Sequence, residues 1–287
     1  MLTTYPFVGL VTLSGGIRMR GFMRIVRFLW KDFEPCFKLL NPDRNEEILL
    51  PVLNHGINFK LGEKYCVGYF KNGSLRPCPR RAKIERGSQC ELCKKLDEYL
   101  PCVKCDGSYC LLPSRRAVCK EEVYHVYLAT FGSILKVGIS RDKRLKQRLV
   151  EQGCDFGAKI ATIKDGRIAR RVEQKIRGIL DIKDRVRGAE KTANFLSSPE
   201  TGMKLIRDAV AKLKTTLISK YLVPPQFYDL RSYYNIVDVK PKFVELSPGA
   251  RVRGRVVSAK GNLLVVKSEG DYLGVNAKEL VGYEVET

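Results

Sequence analysis

Eight of the ten cysteines fall between residues 66 and 119, and that crowding constrains the fold more than any other feature of the chain. Cys66, Cys78, Cys90, Cys93, Cys102, Cys105, Cys110 and Cys119 include two C-x2-C pairs, Cys90/Cys93 and Cys102/Cys105. A two-residue gap lets both thiolates point at one ion from a tight turn, and single cysteines nearby complete a tetrahedron. A disulfide framework would suit a secreted chain, but the N-terminus carries neither the positive n-region nor the small-residue cleavage site of a secretory signal. Reduced thiols, a cytoplasmic setting and bound zinc are therefore expected. Eight ligands make two four-cysteine sites. In sequence order Cys66, Cys78, Cys90 and Cys93 hold one ion, and Cys102, Cys105, Cys110 and Cys119 the other; spacing alone leaves an interleaved grouping open. Four thiolates leave no coordination position for substrate or water, so both ions are expected to be structural. Residues 61–122 have little periodic hydrophobicity and few other means of holding a fold. Cys36 and Cys154 lie outside the cluster and read as small core residues.

The charge points to a polyanion. Lysine plus arginine total 52 against 31 aspartate plus glutamate, a formal +21 over 287 residues. Such an excess costs self-repulsion and is usually kept because a polyanion binds there. It is uneven: residues 123–222 hold 22 basic and 10 acidic side chains, whereas residues 223–287 hold 9 and 8. No apolar run approaches the roughly 20 residues of a membrane-spanning helix, and the best stretch, residues 23–30, is cut by Arg24 and Arg27. No membrane partner is expected.

From residue 123 the text becomes periodic. Residues 123–129 and 134–139 alternate as two strands across the turn Phe131-Gly132-Ser133, a hairpin. Residues 141–152 read as a helix with Leu145 and Leu149 on its apolar side and Gly153 past its end. A strand at 158–163 follows, then Asp165 caps a helix over 166–180 in which Ile168, Val172, Ile176 and Ile179 repeat at helical spacing. This order of hairpin, helix, strand and helix resembles the GIY-YIG nuclease superfamily. His125-Val126-Tyr127 stands where that family has its GIY triplet and Lys136-Val137-Gly138 where it has YIG. The wider layout is also similar to an uncharacterised prokaryotic family that sets a cysteine-rich segment before H-x-V-Y-L-A, K-V-G-I-(S/T)-R and R-(W/L)-x-x-Q-G. Those blocks appear here as residues 125–129, 136–141 and 148–153.

The superfamily resemblance implies a catalytic set of Tyr127, Arg148 and Glu173, with the tyrosine activating water. The arginine would neutralise phosphate charge and the glutamate bind one Mg2+ or Mn2+. Lys136 departs from the pattern, because it puts a cation where the family has a second tyrosine. It would attract phosphate while repelling a metal held near Glu173. Binding survives that change more easily than cleavage. Arg141, Arg144 and Arg148 recur along one face of the first helix, and Arg167, Arg170, Arg171, Lys175 and Arg177 crowd the second, with Lys183, Arg185 and Arg187 after it. Together with Lys136 they make a track suited to phosphate contacts and base stacking. The leading expectation is a nucleic-acid-binding protein that takes RNA over DNA, with a ribosome or another ribonucleoprotein as its setting. The competing one is an active metal-dependent endonuclease.

The ends are expected to be β-rich. Residues 1–60 alternate, with turn marks at Gly15-Gly16 and Asn41-Pro42-Asp43, and residues 252–257, 263–267 and 273–275 suggest a small barrel turning at Lys260-Gly261-Asn262, either closed on itself or completed by N-terminal strands. Residues 201–221 read as a helix with Met203, Ile206, Val210, Leu213 and Leu217 on one side, ended by Pro224-Pro225. Phe227, Tyr228, Tyr233 and Tyr234, interleaved with Arg231, are expected to pack on the αβ core, with base stacking the alternative. The fold class is therefore α+β, in four parts: a β-rich segment 1–60, a zinc module 61–122, a GIY-YIG-like αβ domain 123–222 and a barrel-like segment 223–287.

Overall fold

The computed structural model describes residues 22–41, 46–182, 185–196 and 198–286. The Gly15-Gly16 turn mark, Pro42-Asp43 and Lys183 lie outside them. The fold is α+β. Strands β1 (Met23–Lys31), β2 (Glu34–Asn41) and β3 (Glu46–Pro51) form an antiparallel meander, and β4 (Gly56–Lys64) follows. A short hairpin, β5 (Tyr69–Lys71) and β6 (Ser74–Arg76), and three short helices, α1 (Glu91–Leu96), α2 (Leu100–Lys104) and α3 (Arg116–Glu121), make up the cysteine-rich stretch.

The periodic middle follows as β7 (Val123–Phe131), β8 (Ile134–Arg141), α4 (Leu145–Gln152), β9 (Phe156–Lys164), α5 (Gly166–Leu180), α6 (Gly188–Ala193), α7 (Pro199–Lys214) and β10 (Leu222–Asp229). Its strands form one antiparallel sheet in the order β10-β9-β7-β8. Asp165 caps α5, its side chain accepting from the Arg167 N–H at 2.8 Å. Two helices differ from the sequence expectation. Arg141 stays in β8, paired with Tyr124, and Asp142–Arg144 form a 3-10 turn, so α4 begins four residues late. α7 stops at Lys214 because the Thr215 and Thr216 hydroxyls donate to the carbonyls of Lys212 and Leu213, competing with the helix ladder. Leu217, expected on the apolar side of that helix, is 92% exposed. Pro224 and Pro225 do not simply follow a helix end; they sit in β10, an outer strand, where a missing N–H is tolerated.

The chain ends as β11 (Lys242–Val244), β12 (Arg251–Lys260), β13 (Leu263–Ser268), β14 (Asp271–Asn276), α8 (Ala277–Leu280) and β15 (Tyr283–Glu286). The β12–β13 hairpin turns at Gly261-Asn262, as expected. These strands do not form a unit of their own. They interleave with the N-terminal ones in a nine-stranded sheet of order β11-β14-β13-β12-β4-β15-β1-β2-β3.

Both faces of the four-stranded sheet are covered, which explains why β7 is buried from His125 to Phe131. Val126, Leu128, Val137 and Ile160 pack against Val172 and Ile176 of α5 and Ile206, Val210 and Leu213 of α7. Tyr127, Ala129 and Phe131 point the other way, joining Leu145 and Leu149 of α4 in the core of the large sheet with Trp30, Phe59 and Val256. Each such side chain contributes about 1.5–3 kcal/mol. Tyr234 belongs to this core, with its hydroxyl donating to the Cys154 carbonyl at 2.9 Å and its ring edge-on to Trp30.

The junction between the two sheets tolerates no side chain at two glycines. Gly153, the left-handed cap of α4, and Gly261 meet so closely that a Cβ on either would fall 2.5 Å from the other strand's backbone. Beside them, Lys260 is ion-paired to Asp155 at 2.6 Å with both side chains buried.

Candidate functional site

The first four cysteines are gathered by local structure. Cys66 precedes the β5–β6 hairpin and Cys78 follows it, so the hairpin brings back two sulfurs that stand twelve residues apart. Cys90 caps α1 and Cys93 lies in its first turn. Their Sγ atoms all lie within 4.8 Å of one another, with Cys66, Cys78 and Cys93 buried. The Cys78–Cys90 sulfur separation is 3.8 Å. A tetrahedron of bonds about 2.3 Å long has edges of about 3.8 Å, so the set fits a four-coordinate ion. The backbone N–H groups of Gly68 and Cys90 donate to the Cys66 sulfur at 3.4 and 3.2 Å, the contact a thiolate favours. Burial pushes the Cys66 and Cys93 thiols up. It opposes Cys78 as well, but N–H groups of Ala82 and Arg80 outweigh it and draw that thiol down to about 7. Four sulfurs so close and so dry share thiolate charge only around a cation. The four cysteines could therefore coordinate a metal ion such as zinc.

The second set differs from the closed site expected of it. Among the described residues only the first set meets ligand distances. Cys105 donates to the Tyr109 carbonyl and Cys110 to the Leu112 carbonyl, and Cys102 is exposed. All four sulfurs instead line a cleft of about 830 Å³ between the cysteine-rich stretch and the αβ unit.

That cleft gathers most of the residues singled out in the sequence. Tyr127 and Lys136 on the β7–β8 hairpin, Arg148 on α4 and Glu173 on α5 all line it, with Arg141, Arg144, Arg167, Arg170 and Arg177. Arg171 and Lys175 do not. Eleven lysines and arginines face three carboxylates among the lining residues, so the cleft carries a strong positive field whatever its contents. Several of these cations already have partners. Arg141 pairs with Glu122 at 3.1 Å, Arg144 with Glu151 at 2.9 Å, and Arg170 with Glu173 one turn on. Arg167 and Arg171 both donate to the carbonyls of Gly107 and Ser108, strapping the loop between Cys105 and Cys110 onto α5. Arg116 makes a two-pronged pair with Asp165, fixing α3 to the same helix end.

At the floor, the Tyr127 side chain packs against Gly138, where any Cβ would stand 2.4 Å from its hydroxyl. A glycine is obligatory there. Tyr127 is 1% exposed. Burial pushes its pKa up to about 12, against the pull of Arg148, so the phenol is neutral. Burial, then Arg148, draws the Lys136 pKa down, while Glu173 opposes both. Glu173 is itself buried, not the solvated helix residue its spacing from Arg170 would allow. Sequence reasoning missed Gln152, whose side chain touches both Tyr127 and Lys136. It is the glutamine of the R-(W/L)-x-x-Q-G block at 148–153, four residues after Arg148 and one helical turn along the same face, and both facts were available signals.

One family model, described as "Protein of unknown function (DUF2797)", matches residues 56–285, a span that contains both cysteine sets and the whole αβ unit. No curated protein and no solved structure matches the chain. Among the described residues no helix is long and apolar enough to cross a membrane.

Proposed function

The chain belongs to the DUF2797 family, whose description assigns no function, and we propose that it is a zinc-containing nucleic-acid-binding protein. In this reading the cleft grips phosphates through a GIY-YIG-like core that has lost its second tyrosine. One observation carries it: Tyr127, Lys136, Arg148 and Glu173, distant in sequence, line a single cleft in which cations far outnumber carboxylates. A cavity of about 830 Å³ has the size of a small-ligand pocket. It takes an unpaired stretch of a few nucleotides and not a duplex. That favours irregular folded RNA, whose splayed nucleotides enter such a cleft, over paired DNA. A ribonucleoprotein, the ribosome included, is the setting this suits. Zinc on Cys66, Cys78, Cys90 and Cys93 would hold the first half of the cysteine-rich stretch. A second zinc would draw Cys102, Cys105, Cys110 and Cys119 together in the cleft wall.

The competing reading is a Mg2+- or Mn2+-dependent endonuclease, and the buried Glu173 carboxylate in the same cleft as Arg148 speaks for it. Against it stand a tyrosine held neutral, a lysine beside the carboxylate, and the Arg170 ion pair that already engages that carboxylate. Fluorescence anisotropy with structured RNA, single-stranded DNA and duplex DNA over a salt series tests the proposal. Salt-sensitive binding, strongest for RNA and without cleavage, is expected. Metal-dependent cleavage lost in Glu173→Ala would establish the nuclease. Indifference to every nucleic acid at physiological ionic strength would end both readings.

A further inference from the structure

We propose that Tyr127, Lys136 and Arg148 form a seat for one phosphate group, and that Gln152 is its positioning residue, turning the tyrosine hydroxyl proton out into the cleft. The inference deepens the nucleic-acid reading and rests on it for the source of the phosphate. It begins with the amide of Gln152. The Lys136 ammonium has donors only, and its Nζ lies 3.1 Å from the Gln152 side-chain oxygen. That contact fixes which end of the amide is oxygen. The amide nitrogen must then face Tyr127, to whose Oη it donates at 2.6 Å. In this contact the phenol accepts. Its own proton is directed elsewhere, and Tyr127 makes no donated hydrogen bond among the described residues.

The ring cannot swing away to find an acceptor, because it is clamped on Gly138 and packed in the core shared with Leu145 and Leu149. The hydroxyl therefore offers a fixed donor at the cleft floor. Lys136 keeps two further N–H donors beside it. Arg148 lines the same cleft and makes no hydrogen bond or ion pair among the described residues. Three donor groups thus converge where the nearest carboxylate, Glu173, is engaged by Arg170. Donors without acceptors in a half-dry cleft are complementary to an oxyanion, and a tetrahedral phosphate takes three of them at once. The depressed Lys136 pKa agrees, since a cation crowded by Arg148 gains from an anion between them. The same wiring disfavours the tyrosine as a base, because its oxygen is spent on accepting from Gln152.

Gln152→Glu keeps the shape and reverses the wiring. A carboxylate accepts from both Lys136 and Tyr127, so the phenol proton turns inward and the seat gains a negative charge. Anisotropy with a single-stranded RNA oligonucleotide should show affinity falling about 100-fold in Gln152→Glu and about 10-fold in Tyr127→Phe. Inorganic phosphate should compete with the oligonucleotide on the wild-type protein and not on Gln152→Glu. A purely structural glutamine would not move the second readout, the NMR signal of 13Cζ-labelled Tyr127, assigned from the Tyr127→Phe spectrum. That signal should shift when phosphate is added to wild type and stay still in Gln152→Glu. If both variants bind the oligonucleotide like wild type while Arg148→Ala does not, the seat is wrong and the nucleic-acid reading stands. If wild type binds phosphate with the expected shift but no oligonucleotide, the seat stands and that reading falls. A wild-type signal indifferent to phosphate overturns the proposal, whatever else binds.

Discussion

Cys66, Cys78, Cys90 and Cys93 lie with their sulfurs inside 4.8 Å, three of them buried, whereas Cys102, Cys105, Cys110 and Cys119 are strung along the wall of a cleft, with Cys102 exposed. Both sets contain one C-x2-C pair and two single cysteines, so spacing does not distinguish them. Their surroundings do. The first set has its own scaffold: the β5–β6 hairpin, N–H groups aimed at sulfur, and Gln89, which bonds both the Gly68 carbonyl and Asp97. The second leans on another part of the chain, through Arg167, Arg171 and Arg116. Cysteine spacing says which thiols can share an ion; it is silent on what holds the sulfurs there.

The comparison breaks most forcefully at the first set. Binding of a structural zinc to four thiolates releases on the order of 10 kcal/mol at neutral pH, more than the net stability of many domains. Cys93→Ser, or a strong chelator, should therefore abolish the first metal and melt residues 66–96, read as lost zinc and a lost or much lowered thermal transition. An unchanged transition in the metal-free protein would show that the hairpin and α1 need no ion.

Asp97, where the two sets join, gives the next effect. Its carboxylate accepts from the N–H groups of Phe70, Tyr99 and Leu100 and from the Gln89 amide, at 2.8–3.0 Å. Burial opposes its charge, but these donors outweigh it and hold its pKa below the ordinary 3.8. Such a group stabilises the fold fully above its unfolded pKa, and the contribution is lost as pH falls through the lower folded value. Asp97→Asn sets an amide nitrogen against N–H donors and should cost about 1–3 kcal/mol at pH 7. The difference from wild type should shrink in acid below about pH 4. A difference independent of pH would mean that the charge is not what matters.

Arg167 and Arg171 sharpen the contrast further. Replacing both by alanine frees the Gly107–Ser108 loop and should raise amide hydrogen exchange across residues 102–112, with residues 66–93 unaffected. Equal loosening of both stretches would show that they are one unit.

What could be read in the sequence follows the range of the interactions involved. The β7–β8 hairpin, β9 and α5 were legible because hydrophobic period, a turn and the Asp165 cap are local signals. The first cysteine grouping was legible for the same reason. The nine-stranded sheet was not: β4 pairs with β12 and β15, nearly two hundred or more residues away, and alternation marks a strand without naming its partner. The arginines were legible as charge but not in their roles. Only the fold shows Arg167 and Arg171 strapping a loop while Arg148 makes no hydrogen bond or ion pair among the described residues. Gln152 stood in the R-(W/L)-x-x-Q-G block but was given no role, because a neutral side chain adds nothing to a charge pattern, although it decides how the cleft floor is wired.

The smallest effect on stability is expected at Cys102. Its side chain is exposed, and Cys102→Ser leaves no buried group unpaired and no cavity, so thermal stability measured on the metal-free protein should change by less than about 1 kcal/mol. Zinc content should nonetheless fall from two to one per chain, because three thiolates and a hydroxyl hold the ion far less well than four. Oligonucleotide affinity should drop with it, since the ordered sulfurs are part of the cleft wall. The three readouts separate the alternatives. Stability lost as fully as in Cys93→Ser would make the second set as structural as the first. One zinc per chain in the unmutated protein would leave Cys102, Cys105, Cys110 and Cys119 as lining residues of the cleft, with no second ion among them.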